Sequence, residues 1–158
     1  MELITERLVL RTWTLDEAAA VVGGARAGDW AEDYPSEGDR VIAGLLGQRP
    51  GWLHEHGQRR IVERDSGLLV GGVGLFWPPG EGKLELGYGI VPSRQGRGYA
   101  TEAAKALAEF ALTAPEVHTV YADVELANPA SVRVLEKAGF QRWGTEEKLA
   151  RFRITEAV

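Results

Sequence analysis

At residues 95–100 the chain reads Gln95-Gly96-Arg97-Gly98-Tyr99-Ala100, between a strand-like run ending at Val91-Pro92 and the most regular amphipathic segment of the sequence. A strand, a glycine turn and a helix start, in that order, make a site for an anion. The amides of a first helical turn have no partner within the helix, and the dipole adds about half a positive charge there. Gly96 and Gly98 let the backbone approach a phosphate with no Cβ in the way. The same glycines also suit a turn that only tightens strand-to-helix packing.

The flanking segments place this turn in a mixed architecture. From Ala100 to Ala114, Ala103, Leu107, Phe110, Ala111 and Ala114 share one helical face and Glu102, Lys105 and Glu109 the other; Pro115 ends the run. Upstream, Leu8 to Arg11 reads as a strand and Leu15 to Val22 as a short helix with Thr14 as N-cap and Gly23-Gly24 as the stop. Residues 28 to 39 read as a polar loop, and Arg40 to Leu46 as helical by period. Arg59 to Arg64 and Leu68 to Trp77 read as strands joined by the hairpin signal Asp65-Ser66-Gly67, followed by a strand from Lys83 to Val91. Downstream come a strand from Thr119 to Val124, a helix from Asn128 to Ala138 with Pro129 at its first position and Gly139 after its end, and two short strands within Phe140 to Ile154. Ten of the 20 glycines fall between Gly67 and Gly98, a density that predicts bulges or close backbone approach by a ligand. The order predicts an α+β fold, a mixed sheet with helices on its faces.

A chain of 158 residues with 44% hydrophobic side chains fits one domain with a core of its own. The net charge of −5 argues against tracking nucleic acid and favours cationic or neutral substrates. With no cysteine, disulfides, thiolate zinc sites and a cysteine nucleophile are excluded. Met1 to Arg7 has no apolar signal core and the chain has no 18-residue apolar run, so a cytoplasmic protein without membrane contact is expected.

The pattern Gln95 to Ala100 resembles the pyrophosphate motif of the GNAT superfamily of N-acetyltransferases. Three further stretches strengthen the likeness: Thr5 to Arg11, Glu85-Leu86-Gly87-Tyr88, and Asn128-Pro129-Ala130-Ser131 followed by Glu136 to Phe140. They look like the branch that acetylates protein N-termini, typified by the ribosomal-protein alanine N-acetyltransferases. The likeness covers nearly the whole chain and is weakest from residue 23 to 57. It implies a single acetyltransferase domain over residues 1–158, with a central, mostly antiparallel sheet of about seven strands flanked by about four helices. It also implies acetyl-CoA as cosubstrate and no metal. Amides of Gln95, Gly96, Arg97, Gly98, Tyr99, Ala100 and Thr101 would hold the pyrophosphate. Ile90 and Val91 would pair with the pantetheine arm, Asn128 would bond it from across the cleft, and Ser131 would lie near the sulfur. Asn128 is also a good N-cap, Ser131 reads equally as a solvent-facing helix residue, and Arg97 as a surface charge beside the diphosphate.

Transfer to a primary amine needs a proton acceptor. An alkyl ammonium has a pKa of about 10, so near neutrality only about one molecule in 10³ is free amine. Glu85, a carboxylate among apolar neighbours in mid-strand, is the candidate base; Asp123 and Glu125 are weaker candidates. Paired with a neighbouring arginine, Glu85 would be structural only. Many superfamily members carry a tyrosine in the last helix that protonates the departing thiolate; here the aligned position is Leu135, which leaves Ser131 or water for that step. Residues 29 to 39 carry Asp29, Glu32, Asp33, Glu37 and Asp39 with Trp30 and Tyr34, a set that suits a cationic amine and equally a solvated loop with two anchoring rings. His54 and His56 are poorly spaced for a metal.

The expected partner is therefore a small-molecule amine or a peptide or protein N-terminus, bound by a monomer or homodimer. Two other readings stay open on sequence alone. One is a catalytically idle acyl-CoA-binding sensor. The other is a dinucleotide-binding protein, although Thr101 stands where that motif needs its third glycine. A hydrolase lacks its Gly-x-Ser-x-Gly turn.

Overall fold

The computed structural model describes residues 2–156. The chain runs through β1 (Leu3–Ile4), β2 (Leu8–Thr12), α1 (Leu15–Val22), α2 (Glu37–Leu46), β3 (Gln58–Glu63), β4 (Leu69–Leu75), β5 (Lys83–Ile90), α3 (Tyr99–Ala111), β6 (Thr119–Glu125), α4 (Pro129–Lys137), β7 (Gln141–Glu146) and β8 (Leu149–Thr155). Short 3₁₀ turns cover Pro50–Leu53 and Pro92–Arg94. One eight-stranded sheet has the order β1-β2-β3-β4-β5-β6-β8-β7. Neighbours run antiparallel except β5 and β6, which are parallel because α3 carries the chain back across the sheet between them. This is the mixed, mostly antiparallel sheet with four helices that the sequence predicts. The eighth strand is β1, whose two residues face Leu10 and Val9 of β2 and are too few to show an alternating pattern.

Local chemistry sets most boundaries. Thr14 and Glu17 close a capping box that starts α1 where the sequence places it. The second helix starts at Glu37 rather than Arg40. Ser36 accepts from the Asp39 amide and Asp39 returns to the Ser36 amide, a box that the search for apolar period passes over. The third ends at Ala111 rather than Ala114. The Ala114 amide turns back to the Ala111 carbonyl at 3.1 Å, and Pro115 disfavours helical backbone at the residue before it. Asp65-Ser66-Gly67 turns β3 into β4, Gly67 donating to the Glu63 carbonyl at 2.8 Å. Glycines of β4 do admit close approach, but by the protein's own backbone: a Cβ at Gly71 would lie 2.2 Å from the Gly89 carbonyl oxygen.

Ala103, Ala104, Leu107, Ala108 and Ala111 of α3 are fully buried over β4 and β5. α2 packs on β4, and β3 is buried along its whole length, so the middle of the sheet is covered on both faces. The C-terminal half is covered on one face only. Val120, Ala122, Ala150 and Phe152 point into the core, while Thr119, Tyr121, Asp123, Arg151 and Arg153 on the alternate face remain accessible. Among the described residues no helix is long and apolar enough to cross a membrane.

Candidate active site

The glycine turn is built to leave amides open. Gly96 and Gly98 both have φ of 81°, in the left-handed region. Gly98 caps α3 without a side-chain bond, and the helix's first backbone bond runs from the Glu102 amide to the Gly98 carbonyl at 3.1 Å. The amides of Tyr99, Ala100 and Thr101 are therefore left without intrahelical partners at the positive end of the helix dipole.

Two carboxylates hold this turn in place. Glu102 in the first turn of α3 accepts from the Thr5 hydroxyl at 2.5 Å, the Arg7 amide at 2.8 Å and Arg7 Nε at 2.7 Å. Arg7 then donates through Nη1 to the Arg97 carbonyl at 2.6 Å. The Glu102 negative charge is thus neutralised rather than presented to an anion. On the other flank Glu63, buried at the end of β3, accepts from Ser66 Oγ at 2.6 Å and the Tyr99 hydroxyl at 2.7 Å. It also pairs with Arg97 at 3.2 Å and Arg94 at 3.4 Å. Burial by itself would raise the Glu63 pKa, but the bonds from Ser66 and Tyr99 and the Arg94 charge outweigh it and hold the carboxyl below its ordinary value. Neither Glu63 nor the clasp by Arg7 is visible in sequence, although Thr5 to Arg11 is the stretch that resembles the family's opening strand.

A cavity of about 580 Å³ lies over the turn, between α3, α4 and the end of β5. Of the residues expected to meet the cofactor, Ile90, Gln95, Gly96, Gly98, Tyr99, Ala100, Thr101, Asn128 and Ser131 line it. Val91 and Arg97 stand outside the lining. Val91 is buried in the core and gives its amide to the Val70 carbonyl at 2.9 Å. The Arg97 side chain is drawn to Glu63. The cations that do line the cavity are Arg94, Arg133 and Lys137. Arg133 and Lys137 are one turn apart on α4.

Asn128 caps α4, its Oδ1 accepting from the Ser131 amide at 3.2 Å, which leaves Nδ2 as its free side-chain donor. Leu135, where a tyrosine was sought, is fully buried in the core. A phenol reaches α4 from elsewhere: Tyr88 of β5 lines the cavity and donates to the Ser131 carbonyl at 3.3 Å. Burial raises the Tyr88 pKa, with the Ser131 bond opposing.

β5 and β6 stay paired for only three residues, Lys83↔Thr119, Leu84↔Val120 and Glu85↔Tyr121. Beyond Glu85 they separate, although β5 runs on to Ile90 and β6 to Glu125. The cavity above lines this gap from one side. A second cavity of about 440 Å³ lies by the paired segment, lined by Glu85, Tyr121, Asp123 and the open sheet face. The Glu85 carboxylate has no hydrogen bond or ion pair among the described residues, so the neighbouring arginine that would make it structural is not there. Its pKa is raised, first by burial and then by the charge of Asp123. Asp123 itself stands 3.9 Å from Arg151. Glu125, at the end of β6, is exposed and outside both cavities.

The acidic loop lies elsewhere. Trp30 and Tyr34 are buried in the core, and Asp33 accepts from the Ser93 amide at 2.8 Å and the Ser93 hydroxyl at 2.7 Å. Asp39 is consumed by its capping box. Asp33 thereby braces the segment before the glycine turn, and none of these residues lines either cavity. His56 stacks on Phe110 at 4.5 Å, and among the described residues no group of His, Cys, Asp or Glu could hold a metal ion.

Comparison with known proteins bears on this arrangement. The uncharacterized N-acetyltransferase YnaD of Bacillus subtilis is 33% identical over 88 residues, 56% of this chain and 52% of that protein. The chain thus spans about half the length of this curated relative. Among solved structures, a GNAT-family acetyltransferase from Bacillus anthracis superposes with a TM-score of 0.70 at 22% identity, covering 98% of each chain. A spermidine N-acetyltransferase chimera from Vibrio cholerae and hSSAT gives 0.66 at 21% identity, covering 95% of this chain and 96% of that one. At such identities these two likenesses speak for the fold. Residues 7–141 match the acetyltransferase (GNAT) domain family, and on that match the chain belongs to it.

Proposed function

We propose that this chain is an acetyl-CoA-dependent N-acetyltransferase, a single domain over residues 1–158 that works in the cytoplasm on a small-molecule primary amine or a peptide N-terminus. Direct attack in a ternary complex is the reaction mode. One observation carries the reading: β5 leaves β6 immediately after Glu85↔Tyr121, with uncommitted helix amides and cations lining one side and an unpaired carboxylate lining the other.

The donor set fits coenzyme A. Amides of residues 99–101 and the cations Arg94, Arg133 and Lys137 suit phosphates, and the free edge of β5 beyond Glu85 suits an extended amide-bearing arm. Acetyl-CoA would supply the activated acetyl group. Glu85 would take the proton of the incoming ammonium, its raised pKa making it a better acceptor than an ordinary carboxylate. Asp123 beside it adds a second carboxylate for a cationic acceptor. Holding both substrates at one gap supplies much of the remaining rate. Tyr88, with a hydroxyl at α4, would hand a proton to the departing thiolate, the step for which Ser131 was the sequence candidate.

The test is free-thiol release from acetyl-CoA against a panel of amines and N-terminal peptides, with thermal shift alongside. Turnover that needs both substrates, and a rise in Tm with acetyl-CoA, are expected; at about 100 times Kd a ligand adds roughly 2.7 kcal/mol. Stabilisation by NAD with none by acetyl-CoA would overturn the assignment.

A further inference from the structure

The second cavity carries more charge than proton removal from an amine requires. Its acids, Glu85 and Asp123, stand at the gap between β5 and β6. Its cations surround them: Lys83 lies two residues before Glu85 on the same face, and β8 places Arg153 opposite Tyr121 and Arg151 opposite Asp123. Arg151 is committed to Glu146 at 2.6 Å and faces Asp123. Lys83 and Arg153 have no ion pair among the described residues; Arg153 lies only against the Trp143 ring, at 5.4 Å. Asp123 Oδ1 and Arg151 Nε are buried with no hydrogen-bond partner among the described residues. The cavity therefore has donors and acceptors to spare of both signs.

We propose that the acceptor is a small zwitterion, an amino acid or similar amine carrying a free carboxylate, whose ammonium meets Glu85 and Asp123 while its carboxylate meets Lys83 and Arg153. This rests on the acetyltransfer reading and narrows it. The spacing suits a small molecule: Lys83 stands two residues from Glu85 along β5, about 7 Å between backbones, which leaves room for only a few bonds between the two charged ends. The rings of Phe76, Tyr121 and Trp143 wall the cavity for the carbon skeleton. A polyamine is disfavoured because its second ammonium would meet the uncommitted cations Lys83 and Arg153. A peptide N-terminus is disfavoured because its carbonyl is an amide and leaves Lys83 and Arg153 without an anion.

The experiment measures thiol release from acetyl-CoA by the full chain with matched acceptors: free amino acids, the same amino acids as carboxamides, a linear triamine and N-terminal peptides. For at least one side-chain class, kcat/KM for the acid should exceed that for its carboxamide by about tenfold or more, the scale of one charge-assisted hydrogen bond. In Lys83→Gln with Arg153→Gln that ratio should fall toward one, while KM for acetyl-CoA stays at the parent value. Carboxamides, triamine or peptides turned over as well as every free acid would overturn the zwitterion and leave acetyl transfer standing. Acetyl-CoA binding with no thiol release from any acceptor would overturn both.

Discussion

The Tyr99 hydroxyl donates to the Glu63 carboxylate across 2.7 Å, joining the first turn of α3 to the end of β3. Through this one bond the helix whose first amides line the larger cavity is fastened to a strand buried on both faces. Arg94 and Arg97 share the same carboxylate, so the turn's flanking charges are set by Glu63 as well.

Glu63 should therefore impose an acid limb on stability. Its folded pKa is lowered, so its contribution is present above the ordinary carboxylate value of about 4.3 and is lost as pH falls through the folded value. Glu63→Gln should lower Tm at neutral pH, by the equivalent of about 1–3 kcal/mol for a buried charge-assisted group. The gap between parent and variant should close as pH falls through the lowered folded value. A gap that holds constant from neutral to acid would show that Glu63 acts through packing alone.

Gly96 and Gly98 share one φ but not one environment. A Cβ at Gly98 would stand 3.1 Å from Arg7 Nη2, whereas one at Gly96 meets nothing within 4 Å. Gly96→Ala should lose about 1–2 kcal/mol, the left-handed backbone cost. Gly98→Ala should lose more, and should also weaken acetyl-CoA binding by displacing the arginine that clasps the Arg97 carbonyl. Thermal melts with and without acetyl-CoA separate the two effects, and equal losses at both positions would remove Arg7 from the account.

Charge reversal tests which cations serve the cofactor. Arg133 lines the cavity; Arg97 does not, and is paired with Glu63. Arg133→Glu should raise the acetyl-CoA Kd more than Arg97→Glu does, and its effect should shrink in high salt. A larger effect at Arg97 would mean that the guanidinium leaves Glu63 when the cofactor arrives.

What the sequence disclosed follows from the range of each interaction. Thr14 with Glu17, and Asn128 with Ser131, are three residues apart, so α1 and the start of α4 are readable from a few letters. Gly96 and Gly98 are readable for the same reason. Arg7 and Glu102 are 95 residues apart and Tyr99 and Glu63 are 36 apart, so the devices that hold the glycine turn exist only once the sheet has formed. The acidic loop shows another limit. Its composition suited an amine site and a loop with two anchoring rings alike; Trp30 and Tyr34 are core rings and Asp33 serves Ser93. Composition reports which groups are present and not which face they take. Tyr88 stands in the sequence only as part of Glu85-Leu86-Gly87-Tyr88, because its hydroxyl reaches α4 from β5, 43 residues away along the chain.

Glu85 gives the sharpest test, because catalysis and stability pull in opposite directions there. The raised pKa means that burial and the Asp123 charge disfavour its ionised form in the folded protein. A carboxyl with a folded pKa above its unfolded one adds stability at low pH, and that stability is lost as pH rises through the folded value. At neutral pH the ionised Glu85 is thus a liability to the fold. Glu85→Gln keeps the size and removes the charge, so its Tm near neutrality should equal or exceed that of the parent. Its kcat should fall by about 10²-fold or more, the lower end for general-base catalysis, with acetyl-CoA affinity held. Part of the rate should return at high pH, where more of the amine is already neutral. In the parent, kcat/KM should rise with pH through the raised Glu85 pKa, and the variant should lack that limb. A variant that melts lower, binds both substrates more weakly and gains nothing at high pH would identify Glu85 as a structural carboxylate. Asp123, across the same gap and with one oxygen unpartnered, would then be the proton acceptor to test.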